Sequence, residues 1–449
     1  MAKAQVAVDR FSALPPDVAH HILSFLPIAY VTRVSCVSKR CQWLHLSNPT
    51  LNFNSFPYES ILTFHKRLEL FDSLHRFLTH RGNIKIVMLK SLLFFFGTVM
   101  PKFGQILQDS HIEFPSCVFL CESLKYSTLD MNSAILTAPS FSTPPTSKLV
   151  SLSLRNVIVE DDEGFCKWVS CCRFIKKLGL ERIYGLEKIA IKSSSLESLS
   201  IQCPPFFDIN RLEISGDINR YSLNISASNL KYLKWDGNML NHHLGEMNCL
   251  EEAEISLTFH GVNHLDIVCE QFLHRIRSVK VLTLDQETAK TLFREGLTPA
   301  PLDNVWYLHI PIRSSIDDNL VQAMVSLFRA VPNLTTLNVS LSLELPFHVG
   351  GNNVFGFNRG YWAFQGLDFI SRLKKVTIEL TYGWNGFELA RFMYEHARNL
   401  KNMFVITLPN QASMMRGELW RTNRISNARV VFRGKRPRGA PSGSCLSYV

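Results

Sequence analysis

The chain has 449 residues, of which 46% are hydrophobic and 19% are charged, and its formal net charge at pH 7 is +10. This composition is that of a folded, soluble protein and excludes a wholly disordered chain. The length predicts two or three structural units, or a long stack of repeats, because a single compact core does not grow to this size.

Three short helices are predicted near the N-terminus. Proline is favoured in the first turn of a helix, so the first helix begins near Pro16, and Val18, Ile22 and Phe25 recur at helical spacing until Pro27 ends the run. The predicted helical segments are residues 16–26, 31–37 and 38–46. So small a module buries little surface alone, and we expect a partner to cover its apolar excess.

The residues of this module resemble an F-box. Three stretches carry the resemblance: Asp9-Arg10-Phe11-Ser12-Ala13-Leu14-Pro15, Ile22-Leu23-Ser24-Phe25-Leu26-Pro27 and Val34-Ser35-Cys36-Val37-Ser38-Lys39-Arg40. The sequence departs from the family's pattern at Cys41 and His45, where tryptophans are common. The resemblance implies that residues 9–53 form an F-box, followed by a transitional segment of helix and strand over residues 54–120.

In the F-box family this domain packs against a Skp-type adaptor, which in turn binds a cullin. The resemblance therefore implies adaptor contacts at Leu14, Pro15, Ile22, Leu23, Leu26, Pro27 and Val34. For Val18, Phe25 and Val37 we expect burial in the core of the domain instead. Buried aliphatic anchors, and no catalytic chemistry, would supply the affinity of such a contact.

The spacing apolar-x-x-apolar-x-apolar returns many times over residues 121–345 and again over residues 363–432. Copies include Leu149-Leu152-Leu154, Leu196-Leu199-Ile201, Ile209-Leu212-Ile214, Val305-Leu308-Ile310 and Leu334-Leu337-Val339. This spacing is typical of leucine-rich repeats, in which each unit supplies a short parallel strand and a return segment. The predicted fold class is α/β: a small all-α F-box followed by a leucine-rich-repeat solenoid of parallel strands with helical or irregular returns.

Three of the return segments are predicted to be helical, over residues 161–174, 317–331 and 385–399. Each opens on a residue that can cap a helix, namely Asp161, Asp317 and Asn385. Between the second and third, the glycines of residues 346–362 predict a long loop, which explains the stretched spacing of the repeats there.

Alternation along each strand assigns its faces, because successive side chains point to opposite sides of a sheet. The last two apolar residues of each motif are expected to point into the core, and the residues between and beside them are expected to line the concave surface. The candidate target-binding residues on that face are Lys234, Glu254, Thr283, His309, Asn338 and Thr377. This set has no single sign of charge, so it favours a protein or peptide target over a polyanion.

The positive charge is concentrated at the C-terminal end of the chain. Arg416, Arg421, Arg424, Arg429, Arg433, Lys435, Arg436 and Arg438 accompany only one acidic residue, Glu418. Few aromatic residues interleave with them, so nucleic-acid binding is less favoured than a solvated surface and a basic flexible tail over residues 433–449. Residues 397–428 are similar to the FBD-type region of plant F-box/leucine-rich-repeat proteins.

No motif of catalysis, phosphate binding or metal binding stands out, so no catalytic residue, metal or cofactor is expected. The most apolar stretch, residues 84–100, contains Lys85 and Lys90 and is too charged to span a bilayer. The eleven cysteines lack zinc-site spacing and are expected to be free thiols in a reducing compartment, the cytoplasm, the nucleus or both.

The sequence therefore predicts a non-catalytic substrate-recognition subunit of an SCF-type ubiquitin ligase, made of a Skp adaptor, a cullin and an F-box protein. Two alternatives stay open, both without a ligase role: a leucine-rich-repeat binding scaffold, and a co-receptor for a small molecule. The sequence does not identify the target.

Overall fold

The computed structural model falls into two compact units, Met1–Asn248 and Cys249–Val449. The structure describes residues 11, 13–52, 88–90, 119, 123–137, 148–186, 188–202, 222–238, 241–258, 265–294, 301–313, 315–341, 357, 359–380, 384–407, 412–421 and 428–434. The predicted repeat at Ile209-Leu212-Ile214 and most of the predicted transitional segment lie outside these residues.

The first unit opens with the three predicted helices. They are α1 (Pro16–Leu23), α2 (Ile28–Ser35) and α3 (Lys39–Ser47). Pro15 and Pro27 are the N-cap residues of α1 and α2, and the Ser38 side chain accepts a hydrogen bond from the Cys41 amide at the start of α3. The Arg40 guanidinium donates to the Leu14 carbonyl, which ties the lead-in segment to α3. Proline and serine at these caps therefore set the helix boundaries.

The strands of the first unit form two parallel sheets. The strands are β1 (Thr50–Asn52), β2 (Met88–Lys90), β3 (Tyr126–Ile135), β4 (Ser151–Ile158), β5 (Lys177–Tyr184), β6 (Lys188–Lys192), β7 (Ser198–Gln202), β8 (Ser222–Ser226), β9 (Tyr232–Asn238) and β10 (Asn241–Leu244). The main sheet has the order β1-β2-β3-β4-β5-β7-β9, and a second sheet has the order β6-β8-β10. One return helix, α4 (Asp162–Cys171), lies between β4 and β5.

In its described residues, the second unit repeats a strand and a return segment. Its strands are β11 (Glu252–Thr258), β12 (Val281–Leu284), β13 (Tyr307–Ile312), β14 (Thr336–Leu341), β15 (Lys375–Glu379), β16 (Asn402–Thr407) and β17 (Arg429–Gly434). They pair in parallel and in chain order. Its α-helices are α5 (Leu265–Arg275), α6 (Gln286–Leu292), α7 (Asp318–Ala330), α8 (Arg359–Ala363), α9 (Asn385–His396) and α10 (Ala412–Trp420), and residues Asp368–Arg372 form a 3-10 helix.

The apolar positions of the repeat motif stack in register to form the core. Leu282, Leu308, Leu337, Val376 and Met403 pair one with the next across five strands, and each is completely buried. Burying one such side chain contributes about 1.5–3 kcal/mol. The parallel order of the strands and the burial of the motif's apolar residues confirm the predicted leucine-rich-repeat architecture.

Two of the three predicted helix caps are confirmed. The Asp161 carboxylate accepts from the Gly164 amide at 2.8 Å and the Asp317 carboxylate accepts from the Leu320 amide at 2.8 Å. The prediction for Asn385 was wrong, because Trp384 occupies the N-cap position and Asn385 is the first residue of α9. The Asn385 side chain is instead completely buried and joins three segments of the chain.

The structure corrects several other details of the prediction. The second sheet of the first unit was not predicted, because its strands are short and lack the repeat motif. Within the predicted glycine-rich loop, Arg359–Ala363 is a helix, whereas residues 346–356 and 358 lie outside the described part of the chain. The predicted tail begins inside β17, which ends at Gly434, and residues 435–449 are not among those described.

Candidate binding surfaces

The first candidate surface lies on α1, which is apolar on two faces. One face carries Ala19 and Leu23, which are buried with Val31 and Leu44 in the core of the helical module. The other face carries Val18, Ile22 and the following Phe25, which are 44%, 41% and 66% exposed. Residues four positions apart lie on one side of a helix, so Val18 and Ile22 share this face of α1, and the exposed Phe25 follows two residues after the helix ends. These three residues are called the exposed stripe.

The assignment of these faces from the sequence was partly wrong. Val18, Phe25 and Val37 were expected in the core, but they are exposed, and Val37 is 73% exposed. Leu23 was expected to contact the adaptor, but it is only 1% exposed and its side chain faces the core. Both faces of α1 have apolar residues at helical spacing, so the periodicity alone does not say which face α3 covers.

The other predicted adaptor contacts differ in how deeply they are buried. Leu14 and Leu26 are partly buried and pack against the core of the module. Pro15 is exposed, while Pro27 and Val34 are half-buried. A half-buried residue offers only part of its side-chain surface to a partner.

Two exposed aromatic residues of the module were not among the predicted adaptor contacts. Tyr30 is 51% exposed and carries the Arg33 guanidinium over its ring at 5.6 Å, and Trp43 is 50% exposed. Cys41 and His45, where the sequence departs from the F-box pattern, are buried in the module. Their small or polar side chains therefore fill the interior of the module and do not form its surface.

The second candidate surface is the outward face of the parallel strands. In the first unit, Thr128, Ser153, Gly179, Ser200 and Lys234 stand side by side on β3, β4, β5, β7 and β9. Ser153, Gly179, Ser200 and Lys234 are each partly exposed, between buried neighbours on their own strand. This row places Lys234 on the predicted face.

In the second unit the structure brings five of the predicted residues into one row. Glu254, Thr283, His309, Asn338 and Thr377 are register partners on successive strands. The row continues through two residues that the sequence analysis did not single out, Phe404 and Val431. All seven are partly exposed, so the row is a continuous surface of mixed chemistry.

Two members of this row have unusual polar environments. A hydrogen bond of 2.9 Å joins His309 Nε2 to Ser340 Oγ, and burial lowers the pKa of His309, with Glu254 opposing this effect. The Asn338 Oδ1 atom is buried and has no hydrogen-bond partner within the described residues. A donor from a bound molecule would satisfy that acceptor.

The described residues show no group of three or more histidine, cysteine or acidic side chains arranged to hold a metal ion. Within the same residues, no helix is long and apolar enough to cross a membrane. The described cysteines are all free.

Comparison with known proteins matches the F-box domain to residues 11–42. An Arabidopsis thaliana putative F-box/FBD/LRR-repeat protein is 25% identical over 89% of this chain and 89% of its own length. An F-box/FBD/LRR-repeat protein of the same plant is 24% identical over 95% of this chain and 96% of its own. Another relative, named F-box/LRR-repeat protein 13, is 24% identical over 65% of this chain and 68% of its own.

A solved structure described as a TLR13-ssRNA13 complex matches 73% of this chain and 50% of that chain, at 13% identity and a TM-score of 0.33, which is too distant to support an argument. The F-box match and the relatives that align with most of the chain support the assignment instead. The chain therefore carries an F-box domain at its N-terminus and is homologous over most of its length to the Arabidopsis F-box/FBD/LRR-repeat proteins.

Proposed function

We propose that this chain is the substrate-recognition subunit of an SCF-type ubiquitin ligase. The F-box and the leucine-rich-repeat homologues support a role as an F-box substrate adaptor. The observation that carries the proposal is the exposed stripe Val18, Ile22 and Phe25 on a module that matches the F-box. An apolar stripe on so small a module is what a helical partner would cover.

The proposed partner on this surface is a Skp-type adaptor, which would connect the chain to a cullin. Complete burial of an exposed aliphatic or aromatic side chain contributes about 1.5–3 kcal/mol. Ile22 and Phe25 expose 41% and 66% of their surface, so the two together offer about 2–3 kcal/mol to a partner. We propose Ile22 and Phe25 as the main anchors, Pro15 as a further exposed contact, and the partly buried Leu14, Leu26, Pro27 and Val34 as smaller contributors.

The proposed role of the repeats is to hold a protein target. A complex that holds a target lysine near a charged ubiquitin carrier raises their effective concentration, so that proximity replaces acid–base chemistry within this chain. We propose that the chain is non-catalytic and acts in the cytoplasm, the nucleus or both. The outward row from Glu254 to Thr377 supports the proposal, because it offers hydrogen-bonding groups along five neighbouring strands.

Recovery of the Skp-type adaptor with the full-length chain tests the proposal. Ile22→Asp and Phe25→Asp place a carboxylate in the exposed stripe, and each should abolish recovery of the adaptor. Ile267→Asp and Phe364→Asp are matched controls, because Ile267 and Phe364 are 54% and 90% exposed on the other unit. Leu26→Asp and Val34→Asp should also reduce recovery, although these half-buried positions carry a risk to folding.

Unchanged recovery of the adaptor with both stripe variants would contradict the stripe as the docking surface. No recovery of the adaptor with the unaltered chain would contradict the ligase role and favour a binding scaffold or a small-molecule co-receptor. The target is found by comparing proteins that accumulate with the intact chain and with a chain lacking residues 1–53. Proteins that co-purify with both but accumulate only with the truncated chain would be trapped substrates.

A further inference from the structure

The last three strands of the second unit carry a basic surface around one aromatic ring. Lys375 on β15 and Arg429 and Arg433 on β17 are exposed, and Phe404 on β16 is half-buried between them. The strands pair Lys375 with Asn402, Asn402 with Arg429 and Ile406 with Arg433. Alternation places all of these outward positions on the same face as the row that contains Thr377.

The two cations flank the ring from opposite strands. Lys375 Nζ lies 5.8 Å from the centroid of Phe404, and Arg433 Cζ lies 5.1 Å from it. Cations within about 6 Å of an aromatic face are attracted to it, so the ring holds both charged groups over the outer surface of the sheet. The result is a preformed arrangement of one apolar and two basic groups.

No carboxylate in the described part of the chain forms an ion pair with Lys375, Arg429 or Arg433. Glu379, which ends β15, is 5% exposed and accepts a hydrogen bond from the Leu341 amide. Lys374 and Lys401, which immediately precede β15 and β16, are also exposed. The positive charge of this surface is therefore open to an external anion.

We propose that this surface, defined by Lys375, Phe404, Arg429 and Arg433, binds an acidic segment of the protein target. The inference deepens the proposed function and rests on it, because the target is what the receptor role requires. Charge complementarity selects carboxylate or phosphate groups, and the arginine guanidinium matches either one with two parallel hydrogen bonds. The ring of Phe404 adds an apolar contact for a side chain between the acidic residues.

The full-length chain, produced with the Skp-type adaptor, is titrated against short fluorescein-labelled peptides. One peptide alternates glutamate with leucine, a second has phosphoserine in place of glutamate, and a third has lysine in place of glutamate. The fourth probe is a single-stranded oligonucleotide with the same net charge as the glutamate peptide. The expected result is binding of the first two peptides that weakens as salt is raised, since exposed charges are screened over about 8 Å at physiological ionic strength.

The double variant Lys375→Glu/Arg433→Glu should weaken binding of the acidic peptides by about tenfold or more. The double variant Lys167→Glu/Arg173→Glu is the matched control, because it makes the same change of charge at two exposed residues of the other unit. Lys375→Arg/Arg433→Lys preserves the charges and should preserve the affinity. Stronger binding of the phosphoserine peptide would identify a phosphorylated segment, and equal binding an unmodified acidic one.

Equal affinities of the two charge-reversed variants would overturn the inference and leave these residues as charges that keep the edge strand β17 from pairing with other sheets. Tighter binding of the oligonucleotide, lost in the same variant, would overturn it in favour of nucleic acid. Recovery of the adaptor separates the two proposals. Peptide binding without adaptor recovery would contradict the ligase role alone, and adaptor recovery without peptide binding would contradict this inference alone.

Discussion

The buried side chain of Asn385 is predicted to contribute strongly to the stability of the second unit. Its side-chain amide donates to the Ile316 carbonyl at 3.0 Å and to the Asp318 carboxylate at 2.9 Å, and its Oδ1 accepts from the Phe357 amide at 2.8 Å. The residue is completely buried, so a truncated side chain would leave these groups without their partner. Asn385→Ala therefore removes three contacts that join the start of α7, the start of α9 and the segment before α8.

The expected cost follows from these three bonds. Each intramolecular hydrogen bond contributes about 1 kcal/mol, so Asn385→Ala should destabilise the surrounding structure by about 3 kcal/mol. Hydrogen exchange of peptides that cover α9 reports the local free energy of opening without assuming that the two units unfold together. A change of about 3 kcal/mol corresponds to exchange that is about a hundredfold faster.

Asn333→Ala is the matched control for this experiment. Asn333 is half-buried and its side chain makes a single bond, to the Asp303 carbonyl at 2.7 Å. Its replacement should accelerate exchange nearby by no more than about tenfold. If exchange in α9 is equally fast in the two variants, the hydrogen bonds of Asn385 do not hold these segments together.

Three further predictions concern stability. Gly185 has φ of +83°, and a Cβ there would lie 2.1 Å from a backbone oxygen, so Gly185→Ala should lower the free energy of unfolding by roughly 2 kcal/mol or more in urea. Gly417→Ala is the control: a Cβ at Gly417 meets no atom within 4 Å, so the alanine should stabilise its helix. Asp317→Ala should lower stability by about 1 kcal/mol or more, because it removes the helix cap and the 2.7 Å ion pair with Lys290. Asp317→Asn should restore the contribution of the cap alone in the same assay. Burial lowers the pKa of His309, and Glu254 opposes this effect in part, so the unfolded chain takes up the proton at a higher pH than the folded chain does. Stability should therefore fall as the pH drops below about 6.5. His309→Gln should flatten this pH dependence in thermal melts.

The repeats could be predicted from the sequence because their physical signal is redundant. Each strand has two apolar residues that must face the core, and the same spacing returns in strand after strand, as Leu308 and Leu337 illustrate. The caps Asp161 and Asp317 were predictable for a similar reason, since a carboxylate just before an apolar helical pattern has few other uses.

The faces of α1 could not be predicted from periodicity alone. Val18 and Ile22 lie on one face of α1 and Ala19 and Leu23 on the other, and only the packing of α3 decides which face is covered. One indication was available in the sequence: a helix that is apolar on two sides has more apolar surface than three short helices can bury. This excess predicts that one of the two apolar faces stays exposed.

Other features depended on contacts between distant residues. Asn385 stands at the start of a helix and has the side chain of a capping residue, but its partners come from segments that the sequence separates widely. The cluster around Phe404 could not be predicted from the sequence, because its members lie on three strands. Only the strand register brings Lys375 and Arg433 to the same ring. The row from Glu254 to Thr377 could be predicted because every member holds the same position in its motif.

The affinity of the full-length chain for a Skp-type adaptor tests the central claim most directly. Calorimetric titration should show a stable complex for the unaltered chain and for Ile267→Asp. Ile22→Asp loses about 1 kcal/mol of apolar burial and adds the cost of an unpaired carboxylate, so its affinity should fall by about a hundredfold or more. Equal affinities of the Ile22→Asp and Ile267→Asp chains, or no binding by the unaltered chain, would contradict the claim that this surface docks the adaptor.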